Sequence, residues 1–167
     1  MSYRKLTIYT LGIAIITLFS MIPGGPVENR SFANVIPAAA LGLNIFIGST
    51  LVLAFLSVFF MSKKQKWAYQ AVGLIGINYI LIFVLDLGKI FPVSLDEMSN
   101  LLFNLEIFAL LLGILMVGLS YLSVRYDDGY EWASNSIALN KYAYMTALLF
   151  ALIFFAGVYF STMHALE

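Results

Sequence analysis

The sequence predicts an all-α integral membrane protein, a single bundle of five transmembrane helices with no soluble domain. Three observations carry this reading. Of 167 residues, 62% are hydrophobic and only 11% charged, against about 25% charged in a soluble domain. Five apolar runs, 6–22, 38–61, 67–87, 101–124 and 142–163, reach the roughly 17–25 residues that a spanning helix needs. The basic residues also sort to one side of the threading these runs imply. A mean hydropathy of +0.93 excludes a disordered chain, a nucleic-acid binder and an ordinary cytosolic enzyme.

The runs must be helical, because lipid offers no partner for backbone polar groups and these segments lack the alternation of barrel strands. The first run, 6–22, follows Arg4 and Lys5, which is how a signal peptide opens. No small-x-small cleavage site follows and the run is longer than a signal core, so the expectation is a retained helix. Pro23-Gly24-Gly25-Pro26 ends it, since proline lacks an N–H and glycine relaxes the backbone. The runs 38–61 and 67–87 are separated by Ser62-Lys63-Lys64-Gln65-Lys66, a turn short enough to force an antiparallel hairpin. Phe91-Pro92 ends the third run, and Ser94 or Asp96 is expected to cap a short amphipathic turn leading into the fourth. Residues 125–141 form a polar connection to the fifth. It lacks the ligand spacing of a calcium loop.

Orientation follows from Lys and Arg. Arg4, Lys5, Lys63, Lys64, Lys66, Arg125 and Lys141 fall on the N-terminal side, and only Arg30 and Lys89 on the other. This places the N-terminus in the cytoplasm and the C-terminus outside, in a multi-pass cell-membrane protein (the inner membrane in a bacterium). Tyr3, Tyr9, Trp67, Tyr121, Tyr126 and Trp132 gather near the cytoplasmic boundary, as interfacial aromatics do.

The chain has no cysteine and a single histidine, His164. No Cys-ligated or bis-His cofactor can be built from one chain, and no thiol nucleophile exists. Ionisable groups inside spans are expensive, about 2.5–3.5 kcal/mol for Asp at a helix centre, so each invites a functional reading. Glu106 shares a helical stripe with Ala109, Gly113, Val117 and Ser120 at about 100° per residue. This small-residue face turns Glu106 into the bundle. Glu106 is then a ligand, proton or cation site, or else a carboxylate paired with Arg30. Asp86 ends the third span beside Tyr79, with Lys89 as an i,i+3 partner. Asn44, Asn78 and Asn104 are intramembrane amides, for which hydrogen bonding between helices is the default. His164 sits at the end of the fifth span. The loop 23–37, with Glu28 and Arg30, would cap an outward-facing polar cleft.

The binding residues expected from sequence are thus Glu28, Arg30, Asn44, Asn78, Tyr79, Asp86, Glu106 and His164. No HExxH, phosphate-loop or assured Ser-His-Asp arrangement is present. The leading expectation is a non-enzymatic protein that binds membrane lipid, a small ligand or a partner subunit, with homo-oligomers or a larger complex as partners. An oligomeric transporter or channel protomer using the intramembrane carboxylates comes second, and a lipid-modifying intramembrane enzyme last.

Overall fold

The computed structural model describes residues 2–22, 27, 28, 30–32, 35–126, 152, 155, 156 and 159. Among the described residues four helices follow in order: α1 Tyr3–Ser20, α2 Pro37–Ser62, α3 Lys66–Leu87 and α4 Asn100–Arg125. Among the described residues there is no strand. Of these four, α2, α3 and α4 are long and apolar enough to cross a membrane. The 18-residue α1 carries Arg4 and Lys5 in its first turn and is not one of the three. Of the predicted fifth span, the residues other than 152, 155, 156 and 159 lie outside the described residues, as does His164.

Local chemistry sets the helix ends. The Ser2 side chain accepts from the Arg4 amide at the start of α1, satisfying an otherwise orphaned donor. Pro37 opens α2 at a position where its missing N–H costs nothing. The turn 63–65 closes with Lys64 at φ 60°. At the end of α3 the left-handed residue is Lys89, φ 51°, and the Ile90 amide reaches back to the Leu85 carbonyl at 2.9 Å, a Schellman-type stop. The cap of α4 is Ser99, whose hydroxyl accepts from the Leu102 amide. Ser94 caps the short turn before it as expected, its hydroxyl accepting from the Asp96 amide at 3.0 Å.

The core is apolar, built on residues such as Leu11, Leu51, Ile75, Leu102 and Met116, but polar groups share it. Polar side chains lie inside, including Thr7, Thr10, Thr50, Ser57, Glu106 and Ser123. Bulky apolar ones such as Ile16, Phe19, Ile77, Leu111 and Ile114 face outward. An apolar exterior of this extent has no place in water and suits lipid. α3 and α4 form the most extensive pair. α1 packs on α4, α2 packs on α3, and the backbones of α2 and α4 stay apart.

The α3–α4 crossing is backbone on backbone. A Cβ on Gly76 would lie 2.6 Å from the Gly113 carbonyl oxygen, and one on Gly113 would lie 3.0 Å from that of Gly76. Below the crossing, the Ser120 hydroxyl donates to the Tyr69 carbonyl at 2.7 Å. Thr7 and Ser123 hydroxyls meet at 2.8 Å and join α1 to α4. Above it, the Tyr79 hydroxyl donates to the Ala14 carbonyl at 2.6 Å and joins α3 to α1. The Asn78 amide donates to Thr50 Oγ1 at 3.0 Å and joins α3 to α2. The described residues Glu28, Arg30, Ser31 and Phe32 of the connection between α1 and α2 lie beside the loop 88–99 at one end of the bundle, and the short turn 63–65 lies at the other.

Candidate functional site

The loop end gathers four charged side chains from three segments. Glu28 and Arg30 come from the loop 21–36, Asp86 from the last turn of α3, and Glu106 from the second turn of α4. The antiparallel α3–α4 pairing places the last two side by side. Asp86 stands at the negative end of its helix dipole, an unfavourable place for an anion, and so calls for a cation.

Arg30 supplies it. Its Nη1 and Nη2 donate to Asp86 Oδ1 and Oδ2 at 3.1 and 2.8 Å. Its Nε and Nη2 donate to Glu28 Oε1 and Oε2 at 2.9 and 2.6 Å. Nη2 also lies 3.4 Å from Glu106 Oε1. Two bidentate grips on one guanidinium exploit the planar fork that Lys lacks. The Phe32 ring lies against it, 5.5 Å from the guanidinium carbon to the ring centroid. Burial by itself would lower the pKa of Arg30. The hydrogen bonds to Glu28 and Asp86 and their charges outweigh that, and the net shift is upward.

One positive charge therefore faces three carboxylates, and the deepest of these is incompletely served. The Glu106 side chain is 1% exposed, and its Oε2 has no hydrogen-bond partner. An unserved buried carboxylate oxygen is expensive.

Single oxygens of Glu28, Asp86 and Glu106 lie within 4.8 Å of one another, a spacing a metal ion could bridge. Arg30 Nη2 stands among them, within 2.6 to 3.4 Å of each residue. The guanidinium thus fills the place a cation would take, and this donor set favours a fixed organic cation over a metal centre.

Two cavities meet at the cluster. One of about 220 Å³ runs into the bundle between α1, α2 and α3, with walls of Leu18, Met21, Phe32, Leu43, Phe46, Ile47, Leu81, Ile82, Phe83, Leu85, Phe91 and Pro92. Its polar wall residues are Glu28, Asp86 and Glu106. The other, about 500 Å³, lies under the loop 88–99 and is lined by Arg30, Asp86, Lys89, Ser94, Asp96 and Glu97 among others. Asp86 stands in the wall of both. A clasp between the loops closes over the site. The Ser31 amide donates to Asp96 Oδ2 at 2.7 Å, and the Ser94 hydroxyl donates to the Ser31 carbonyl at 2.9 Å.

Of the residues expected from sequence, Glu28, Arg30, Asp86 and Glu106 come together. Asn78 and Tyr79 do not join them, since their polar atoms are committed to Thr50 and Ala14. Asn44 is buried on α2 beside Leu43 but outside the cavity wall. Asp86 pairs with Arg30 and not with the side chain of Lys89, whose amide alone bonds the Asp86 carbonyl. Pro23–Pro26 and Asn29 of the expected lid, like His164, lie outside the described residues. Sequence reading missed Phe32 and the apolar wall. These residues come from several separate segments, and no single spacing connects them.

Residues 3–135 match the model of a family described as Domain of unknown function (DUF8051). The match takes in all four helices. No curated protein matches the chain, and no solved structure does.

Proposed function

We propose that this chain, which belongs to the family described as Domain of unknown function (DUF8051), is a multi-pass membrane protein that binds an amphipathic lipid or small ligand without transforming it. In this reading the chain crosses the cell membrane five times, with its N-terminus in the cytoplasm and its C-terminus outside. The 220 Å³ cavity is the binding site, opening toward the outer face. Homo-oligomers or a larger membrane complex are the partners expected of it.

The observation that carries the reading is the pairing of an apolar cavity with a few convergent polar groups at one end, which is the usual anatomy of a ligand site. Its volume lies between an apolar hole of about 150 Å³ that takes benzene and the lower bound of about 300 Å³ for drug-sized pockets. The ligand portion inside is accordingly a ring or a short chain. The loop clasp at Ser31 and the Arg30 grip would hold it there.

The test is the thermal stability of the protein in lipid nanodiscs with n-hexanol added. Hexanol should raise the melting temperature of the wild type and not of Ile47→Phe, which fills the cavity. Equal shifts in both proteins, or none in either, would refute the assignment. Tags at the two ends test the threading, and finding both in one compartment would exclude five spans.

A second reading, an oligomeric transporter or channel protomer, draws support from one feature, the position of Asp86 in the walls of both cavities. Flux through proteoliposomes that is unchanged in Glu106→Gln would remove its proposed site.

A further inference from the structure

The geometry points to a cationic amine as the head of the ligand: a small primary alkyl- or arylalkyl-ammonium, seated against the Glu106 carboxylate with its apolar body in the 220 Å³ cavity. This rests on the ligand-binding reading above and narrows it to one chemical class.

Two independent features support it. The first is charge. Glu28, Asp86 and Glu106 share one guanidinium, whose bidentate grips go to Glu28 and Asp86. Glu106 is left with a single 3.4 Å contact. A second monovalent cation would match the remaining charge better than a neutral or anionic head. The second is the orphaned acceptor. Glu106 is 99% buried by its 1% exposure, stands in the cavity wall, and carries a buried oxygen, Oε2, with no hydrogen-bond partner. An ammonium brings up to three donors on a compact head, and a charge-assisted bond to a carboxylate is roughly twice as strong as a neutral one. Behind Glu106 the walls are Leu18, Phe46, Ile47 and Phe83. They offer aromatic faces and aliphatic bulk, which suit a short hydrocarbon body and provide no partner for a second polar group.

The experiment compares n-hexylamine with n-hexanol, which share a body and differ in the head. Binding is measured by calorimetry on wild type, Glu106→Gln and Ile47→Phe in neutral-lipid nanodiscs at pH 7. Wild type should bind hexylamine at least tenfold tighter than hexanol. Glu106→Gln should bring the two within about twofold while keeping hexanol binding, and Ile47→Phe should lose both. Equal affinity of wild type for the two probes would overturn the amine assignment while leaving the cavity reading standing. Hexylamine binding that survives in Ile47→Phe would overturn it too, by placing the amine elsewhere. Loss of both probes from wild type would remove the ligand site itself. Should Glu106→Gln not fold, the wild-type and Ile47→Phe comparisons decide alone.

Discussion

Replacing Arg30 with methionine keeps much of its length and removes its charge. Glu28, Asp86 and Glu106 are then left with oxygens within 4.8 Å of one another and no guanidinium among them. At that separation two unit charges repel by about 3.5 kcal/mol at an effective dielectric of about 20. Three such pairs would approach the whole stability of a domain, about 5–15 kcal/mol. The cluster cannot stay both ionised and closed, so it takes up protons or comes apart. The observable cost then falls to that of breaking a buried ion pair, about 3–5 kcal/mol. Unfolding in mixed detergent–SDS micelles, followed by circular dichroism, measures it. Adding Glu106→Gln to Arg30→Met should restore part of the loss, about 1–3 kcal/mol, because the two sites share a network. An Arg30→Met protein within about 1 kcal/mol of wild type would mean that the cluster contributes no more than a surface ion pair, and the reasoning would fail.

Three further outcomes can be checked in the same assay. Gly76→Ala should cost about 1–3 kcal/mol by forcing α3 and α4 apart, whereas Gly12→Ala and Gly118→Ala, where an added Cβ meets nothing within 4 Å, should be neutral or stabilising. Tyr79→Phe should cost about 0.5–1.5 kcal/mol, because it loses one bond to a carbonyl already inside a helix; a larger loss would mean that the hydroxyl holds more than Ala14. Since the pKa of Arg30 is raised, its stabilisation is fully present below the unfolded value for arginine and is lost only as pH rises through the higher folded value. Wild type should therefore show no Arg30-linked loss up to pH 11, while Arg30→Lys should begin to weaken above about pH 10.4, the unfolded value for lysine. Alkaline melts that coincide for the two proteins would contradict this.

The helices were legible because apolar length is a strong signal. The expected 38–61, 67–87 and 101–124 match α2, α3 and α4 to within one residue at each end. The inward face of α4 was legible for a different reason. In a helix apolar all round, periodicity of hydrophobicity says little, but small and polar residues mark the packed side, and Gly113, Ser120 and Glu106 marked it. The partner of Asp86 was not legible. Helical spacing offered Lys89, yet that residue takes the left-handed position that ends α3, and the cation arrives from a loop far away in sequence. The turn before α4 was legible in Ser94, which accepts from the Asp96 amide, but the bonds of Ser94 and Asp96 to Ser31 are a tertiary demand that local sequence does not express.

The contact of Gly76 with Gly113 lies near the middle of both helices, and it makes the pair behave as scissors about a rivet. The two backbones meet there directly, with the side chains of Tyr79 and Val117 packed at the edge of the contact. Opening the blades to spread Asp86 from Glu106 would also draw Tyr69 away from Ser120 at their other ends. The 2.7 Å bond from the Ser120 hydroxyl to the Tyr69 carbonyl therefore resists a spread at the charged end.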